Sequence, residues 1–70
     1  MIPLTMAKSG EETLIKMIKG KAETKRHLEN LGFVSGECIT VISEIAGNLI
    51  LNVKGSRIAI DKSMANKIMI

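Results

Sequence analysis

Residues 28–42 read LENLGFVSGECITVI, and along this stretch the hydrophobic period changes from that of a helix to that of a strand. Upstream, GKAETKRHLENLG is built from good helix formers, with Leu28 and Leu31 three apart on one face and Gly32 directly after. The spacing predicts a short helix over Ala22 to Leu31, stopped by Gly32, with Phe33 folding back on Leu28. Gly36 then marks a turn, and ECITVIS alternates, setting Cys38, Thr40 and Ile42 against Ile39 and Val41.

Outward from this stretch the pattern is one of short strands. TLIKMIK, from Thr13, reads as a first strand, although Leu14 and Ile15 interrupt its alternation. NLILNV places Leu49, Leu51 and Val53 on one face, and SRIAI places Ile58 and Ile60 together. EIAGN and KGS are hairpin turns, the second centred on Lys54 and Gly55. DKSMANK is read as one helical turn capped by Asp61 or Ser63, and IMI as a closing strand. The expected fold is therefore all-β: a small SH3-like barrel of about five strands in one domain, residues 1–70. A short helix follows the first strand and a helical turn precedes the last. Barrel closure would remove the exposed strand edges.

Composition restricts function. A chain of 70 residues leaves little room for an enclosed active site. Its apolar fraction of 46% includes one Phe and neither Trp nor Tyr, which weakens any reading that needs bases stacked on rings. The net charge is +3, with signs interleaved, and a single Cys excludes an internal disulfide and fits a reducing compartment. No signal-like segment and no run near the roughly 20 apolar residues of a membrane span occurs, so a soluble cytoplasmic protein is expected.

The chemistry-bearing residues do not assemble into a motif. His27 and Cys38 fall short of the ligand count of any zinc site, and are read as a helix-surface residue and a small buried hydrophobe. The five methionines share no spacing and are read as gap-fillers. GFVSGE lacks the Lys and Ser/Thr of a phosphate loop, and adjacent Glu11 and Glu12 form no acid/base pair. No catalytic residue, metal site or cofactor is expected. One group stands out: Lys16, Lys19, Lys21, Lys25 and Arg26, close together in sequence. It suits an acidic partner or phosphates, or else is a solvated face in which Glu23 and Glu29 balance the charge through pairs such as Lys25 with Glu29.

From Pro3 to Ile70 the order of residues resembles the FeoA family of bacterial ferrous-iron transport accessory proteins. The resemblance is carried by Gly20, Arg26 or its neighbour, Leu28, Leu31-Gly32-Phe33 and Gly36, and later by Gly55, Ile58 to Ile60, Ala65 and Ile68. The chain is also similar to the SH3-like domain that ends some metal-dependent repressors. It departs from the family pattern at His27, commonly arginine, and at Val34-Ser35, which replace a proline-containing approach to Gly36. The resemblance implies an SH3-like barrel, not an enzyme, that contacts the membrane-bound, GTP-hydrolysing FeoB transporter from the cytoplasm. Lys21, Lys25, Arg26 and His27, with the adjoining barrel edge, are the expected contact. Gly20, Leu28, Leu31, Gly32, Phe33, Gly36 and Gly55 are expected to be architectural. A nucleic-acid module and a freestanding relative of the repressor domain are the alternatives.

Overall fold

The computed structural model describes residues 1–70 throughout. A 3-10 turn, Leu4–Met6, opens the chain. There follow β1 (Glu12–Leu14), β2 (Met17–Ile18), α1 (Ala22–Asn30), β3 (Cys38–Ile45), β4 (Asn48–Val53), β5 (Ser56–Asp61), α2 (Lys62–Ala65) and β6 (Ile68–Met69). The strands form an antiparallel four-stranded sheet, ordered β1-β3-β4-β5, and an antiparallel pair, β2-β6, which Pro3 extends by one bridge to Met69. The fold is the expected SH3-like barrel with its inserted helix, but with six strands.

The extra strand arises where the sequence broke its own alternation. The expected single strand from Thr13 is two, because the chain turns from one sheet to the other at Ile15. Leu14 stays on the outer surface, 48% exposed, opposite Cys38, while Ile15 is buried. Ile15 leaves the β1-β3 ladder and bonds instead to the Gly36 turn: its N–H donates to Glu37 O at 2.9 Å, and its C=O accepts from Gly36 N at 2.8 Å. Lys16 N then donates to Met69 O at 2.8 Å, which starts the second sheet. Two adjacent apolar residues are what a corner needs, one for each side of the bend.

The helix stop is a complete double hydrogen bond. Gly32 N donates to Glu29 O and Phe33 N to Leu28 O, both at 2.9 Å, so the last turn of α1 leaves few carbonyls unpaired. Gly32 has φ +105°, a conformation that glycine alone adopts without strain. The geometry turns Phe33 inward, where it and Leu28 are both wholly buried in the same core. Leu31, the residue that closes α1, is half-buried against that core.

Both hairpins are tight two-residue turns, Ala46-Gly47 and Lys54-Gly55, with positive φ at each central position. This handedness matches the twist of the flanking strands. Ile39, Val41, Leu49, Leu51, Val53 and Ile60 supply the sheet's inner face, and Leu4, Ile15, Ile18, Leu28, Phe33, Ala65 and Ile68 complete one continuous core. No polar side chain is buried. A bulge between Val41 and Ser43 ends the strict alternation of β3, beyond which Ile45 is 60% exposed.

Asp61 caps α2, accepting a hydrogen bond from Met64 N at 2.8 Å. Asp61→Ala is expected to lower stability by about 1 kcal/mol, measurable as a fall in the urea midpoint with no change in slope. Two expectations need correction. Closure does not remove every edge, since β5 has a neighbour on one side only. Cys38 is exposed, because it occupies the outward phase of β3 and only Ile39 and Val41 reach the core. Ile58 and Ile60 share the inner phase as expected, Ile58 being half-buried because it lies on the strand at the sheet margin.

Candidate partner-binding face

Every basic residue singled out from sequence is exposed, yet the structure does not gather them into one patch. An α-helix turns about 100° per residue. Measured from the buried Leu28, the capping residue Lys21 lies nearly in line with it, Lys25 about 60° to one side, Arg26 near the outer crest and His27 about 100° to the other side. Lys21 and Lys25 are one turn apart, with Lys25 N donating to Lys21 O at 3.0 Å. They are brought together, and His27 is turned away from them.

A residue from the far end of the chain joins the Lys21 side. Lys19 N donates to Lys67 O at 2.7 Å, and the aliphatic stem of Lys67 runs close beside Gly20, where a Cβ would stand 3.3 Å from its Cδ. Lys19, Lys21 and Lys67 thus converge at the start of α1, with Lys16 at the other end of β2. Sequence reasoning missed Lys67, because only the pairing of β2 with β6 brings it there, and that pairing carries no local signal.

Electrostatics at this end favour an anionic surface. The N-terminus of α1 has no side-chain cap, so its first amide N–H groups face outward with their partial positive charge. The two ion pairs of the chain lie elsewhere, Lys54 with Glu37 at 3.6 Å and Lys62 with Glu44. Lys16, Lys19, Lys21, Lys25, Arg26 and Lys67 therefore have no carboxylate partner, and the anticipated Lys25–Glu29 pair does not form. Interleaved signs in the sequence do not become paired charges on the surface.

Beside the lysines lies an apolar row. Met17, Met69 and Pro3 stand side by side across β2, β6 and the first residues; Met69 is buried and Pro3 half-buried, while Met17 is 37% exposed and Ile2 and Met6 more so. The surface has no cavity, and no three His, Cys, Asp or Glu side chains cluster as a metal would need. His27 sits on α1 and Cys38 on β3, with no hydrogen bond or ion pair between them. What the face offers is contact: cations and uncapped amides around exposed methionine.

The chain is thus a small SH3-like barrel with an exposed basic and apolar face. The comparisons narrow this further. The model of the FeoA domain family matches residues 2–70. The chain is 39% identical, over its full 70 residues and 85% of the relative, to a Methanocaldococcus jannaschii protein named "Putative Fe(2+) transport protein A". Among solved structures it resembles an iron uptake regulatory protein (FeoA) with a TM-score of 0.88 and 31% identity, over 97% of this chain and 90% of that one. It shares the fold of a Stenotrophomonas maltophilia FeoA, solved in complex with zinc and described as a prokaryotic SH3 domain protein, with a TM-score of 0.84 and 20% identity over 99% and 88% of the two chains. The chain belongs to the FeoA family.

Proposed function

We propose that residues 1–70 act as one cytoplasmic accessory module of ferrous-iron uptake, docking on the cytoplasmic side of a FeoB-like membrane GTPase transporter. The module supplies contact and no bond-making chemistry. The observation that carries this reading is the unpaired basic group at the start of α1, bordered by exposed Met17, in a chain of the FeoA family. An apolar centre with a charged rim is the usual anatomy of a protein–protein contact. Within it, Lys21, Lys25 and Arg26 engage acidic side chains, while His27, on the far flank, lies at the margin.

A nucleic-acid partner is less well supported. The single aromatic ring, Phe33, is wholly buried and offers no stacking surface, so phosphate attraction would act alone. No helix is long and apolar enough to cross a membrane, which agrees with a module that acts on a membrane protein rather than within the bilayer.

Titration against the transporter's isolated cytoplasmic GTPase domain tests the proposal. Binding that weakens with salt is expected, and the double substitution Lys21→Glu, Lys25→Glu should reduce affinity about tenfold or more, through repulsion at two rim positions. His27→Ala should change it little. Failure to bind at any salt concentration or nucleotide state would overturn the reading.

A further inference from the structure

We propose that the open edge of β5 is a self-complementary dimerisation strand, which pairs antiparallel with β5 of a second copy about a two-fold axis through Ala59. The inference concerns a different surface from the transporter contact and stands independently of it.

The edge follows from the register. The two-residue turn at Lys54-Gly55 makes Val53 and Ser56 the closing pair of the hairpin, so Ser56, Ile58 and Ile60 direct their backbone groups toward β4. Lys62 N, donating to Gly47 O at 3.2 Å, fits the same phase. Alternation therefore turns the N–H and C=O of Arg57 and Ala59, and the N–H of Asp61, away from the sheet. No strand lies on that side, and no other backbone or side-chain hydrogen bond reaches these groups.

Natural sheets blunt such edges with proline, bulges, very short strands or repelling charge. Here β5 runs Ser56–Asp61 without proline, pairs with β4 in unbroken register, and is twice as long as β1 at the opposite edge. Its only protection is Arg57 and Asp61, one of each sign, placed symmetrically about exposed Ala59. A strand charged at both facing positions avoids like charges only if its signs run the opposite way, and a second copy laid antiparallel supplies that arrangement.

With Ala59 opposite Ala59 of the second copy, Arg57 faces Asp61 twice, and Ile58 faces Ile60 twice on the inner side. The smallest side chain of the outer face stands at the axis, where it meets its own copy. Half-buried Ile58 would lose its remaining exposure, and the four-stranded sheet would continue through the axis into that of the partner. Asp61 can serve both roles, since one carboxylate oxygen caps α2 and the other is unengaged. Opposite charges directly across a ladder stabilise it and like charges oppose it, which makes charge complementarity the reason for choosing a second copy over an unrelated strand.

Sedimentation velocity and amide NMR of the chain, from micromolar to millimolar concentration, test this. A concentration-dependent dimer is expected, with shifts and exchange protection centred on Arg57, Ala59 and Asp61. Arg57→Asp sets carboxylates opposite each other at both ends of the pairing, and Ala59→Lys sets two cations at the axis. Each should weaken dimerisation about tenfold or more, while Arg57→Lys should dimerise like the parent. Both positions are exposed, and circular dichroism of each variant verifies the fold. A chain that stays monomeric at millimolar concentration overturns the proposal, as does a dimer that both charge variants form as readily as the parent. Protection of β5 amides seen only after another protein is added would assign the edge to that protein and equally overturn it.

Discussion

Phe33→Ala leaves the chain without a cooperative fold. The ring is wholly buried and is the largest side chain in the core. Truncating a buried Phe to Ala typically costs about 3–5 kcal/mol, and a single core in a chain this small rarely supplies more than about that amount in total. The loss therefore matches the whole stability rather than a fraction of it. Circular dichroism on heating should show a broad, non-cooperative change, and amide NMR should lose its dispersion at room temperature. A variant that retained a sharp transition close to the parent's would mean that neighbouring Leu28 and Leu4 collapse into the vacated volume, and that the core is not centred on this ring.

Gly32→Ala destabilises the protein with no steric clash at all. A methyl group added there would sit 3.7 Å from the Lys54 stem and 3.8 Å from Val53, ordinary contact distances. The penalty comes from the backbone, since φ of +105° lies beyond even the left-handed well that other residues visit. A loss of about 1–3 kcal/mol is expected, again a large part of what the domain has. Chemical denaturation should show a lower midpoint at unchanged slope, because the surface exposed on unfolding stays the same. Gly32→Asn should lose less than Gly32→Ala, as Asn tolerates positive φ better. Equal losses for the two would point to crowding by Val53 instead.

These two positions were also the most legible in the sequence. A glycine after a helical apolar period, followed by one aromatic residue, specifies a local geometry that needs no knowledge of distant chain. The same holds for the Lys54-Gly55 hairpin and for the helical turn after β5, whose cap the sequence narrows to Asp61 or Ser63 and the structure assigns to Asp61. Features that depend on pairing between remote segments were harder to read. The doublet Leu14-Ile15 was visible as a flaw in alternation, but its meaning as a corner depends on Gly36 and Glu37, which donate to and accept from Ile15, and on Met69, whose carbonyl accepts from Lys16. Cys38 was taken for a buried residue because its type favours burial, whereas the phase of its strand decides the matter: Ile39 holds the core position next door. For the candidate face, exposure of Arg26 and His27 follows from their being off the Leu28 side of a helix, whereas Lys21 and Lys25 are exposed because they sit at its first turn. Their separation around the helix follows from the same period, but consecutive positions in a sequence look like a cluster on the page. Lys67 illustrates the limit, since it enters the basic group only through the strand that carries it there.

That strand has a further consequence for how the molecule acquires its shape. β6 pairs with residues about fifty positions earlier, and Ile2 and Ile70 exchange reciprocal hydrogen bonds of 3.0 and 2.8 Å. The β3–β4–β5 meander is local and can organise early, but the second sheet must wait for the two ends of this segment to find each other across a large loop, with the entropy loss that entails. Until that pairing forms, the meander leaves Leu49, Leu51 and Val53 without the cover that Ile68 supplies in the finished core.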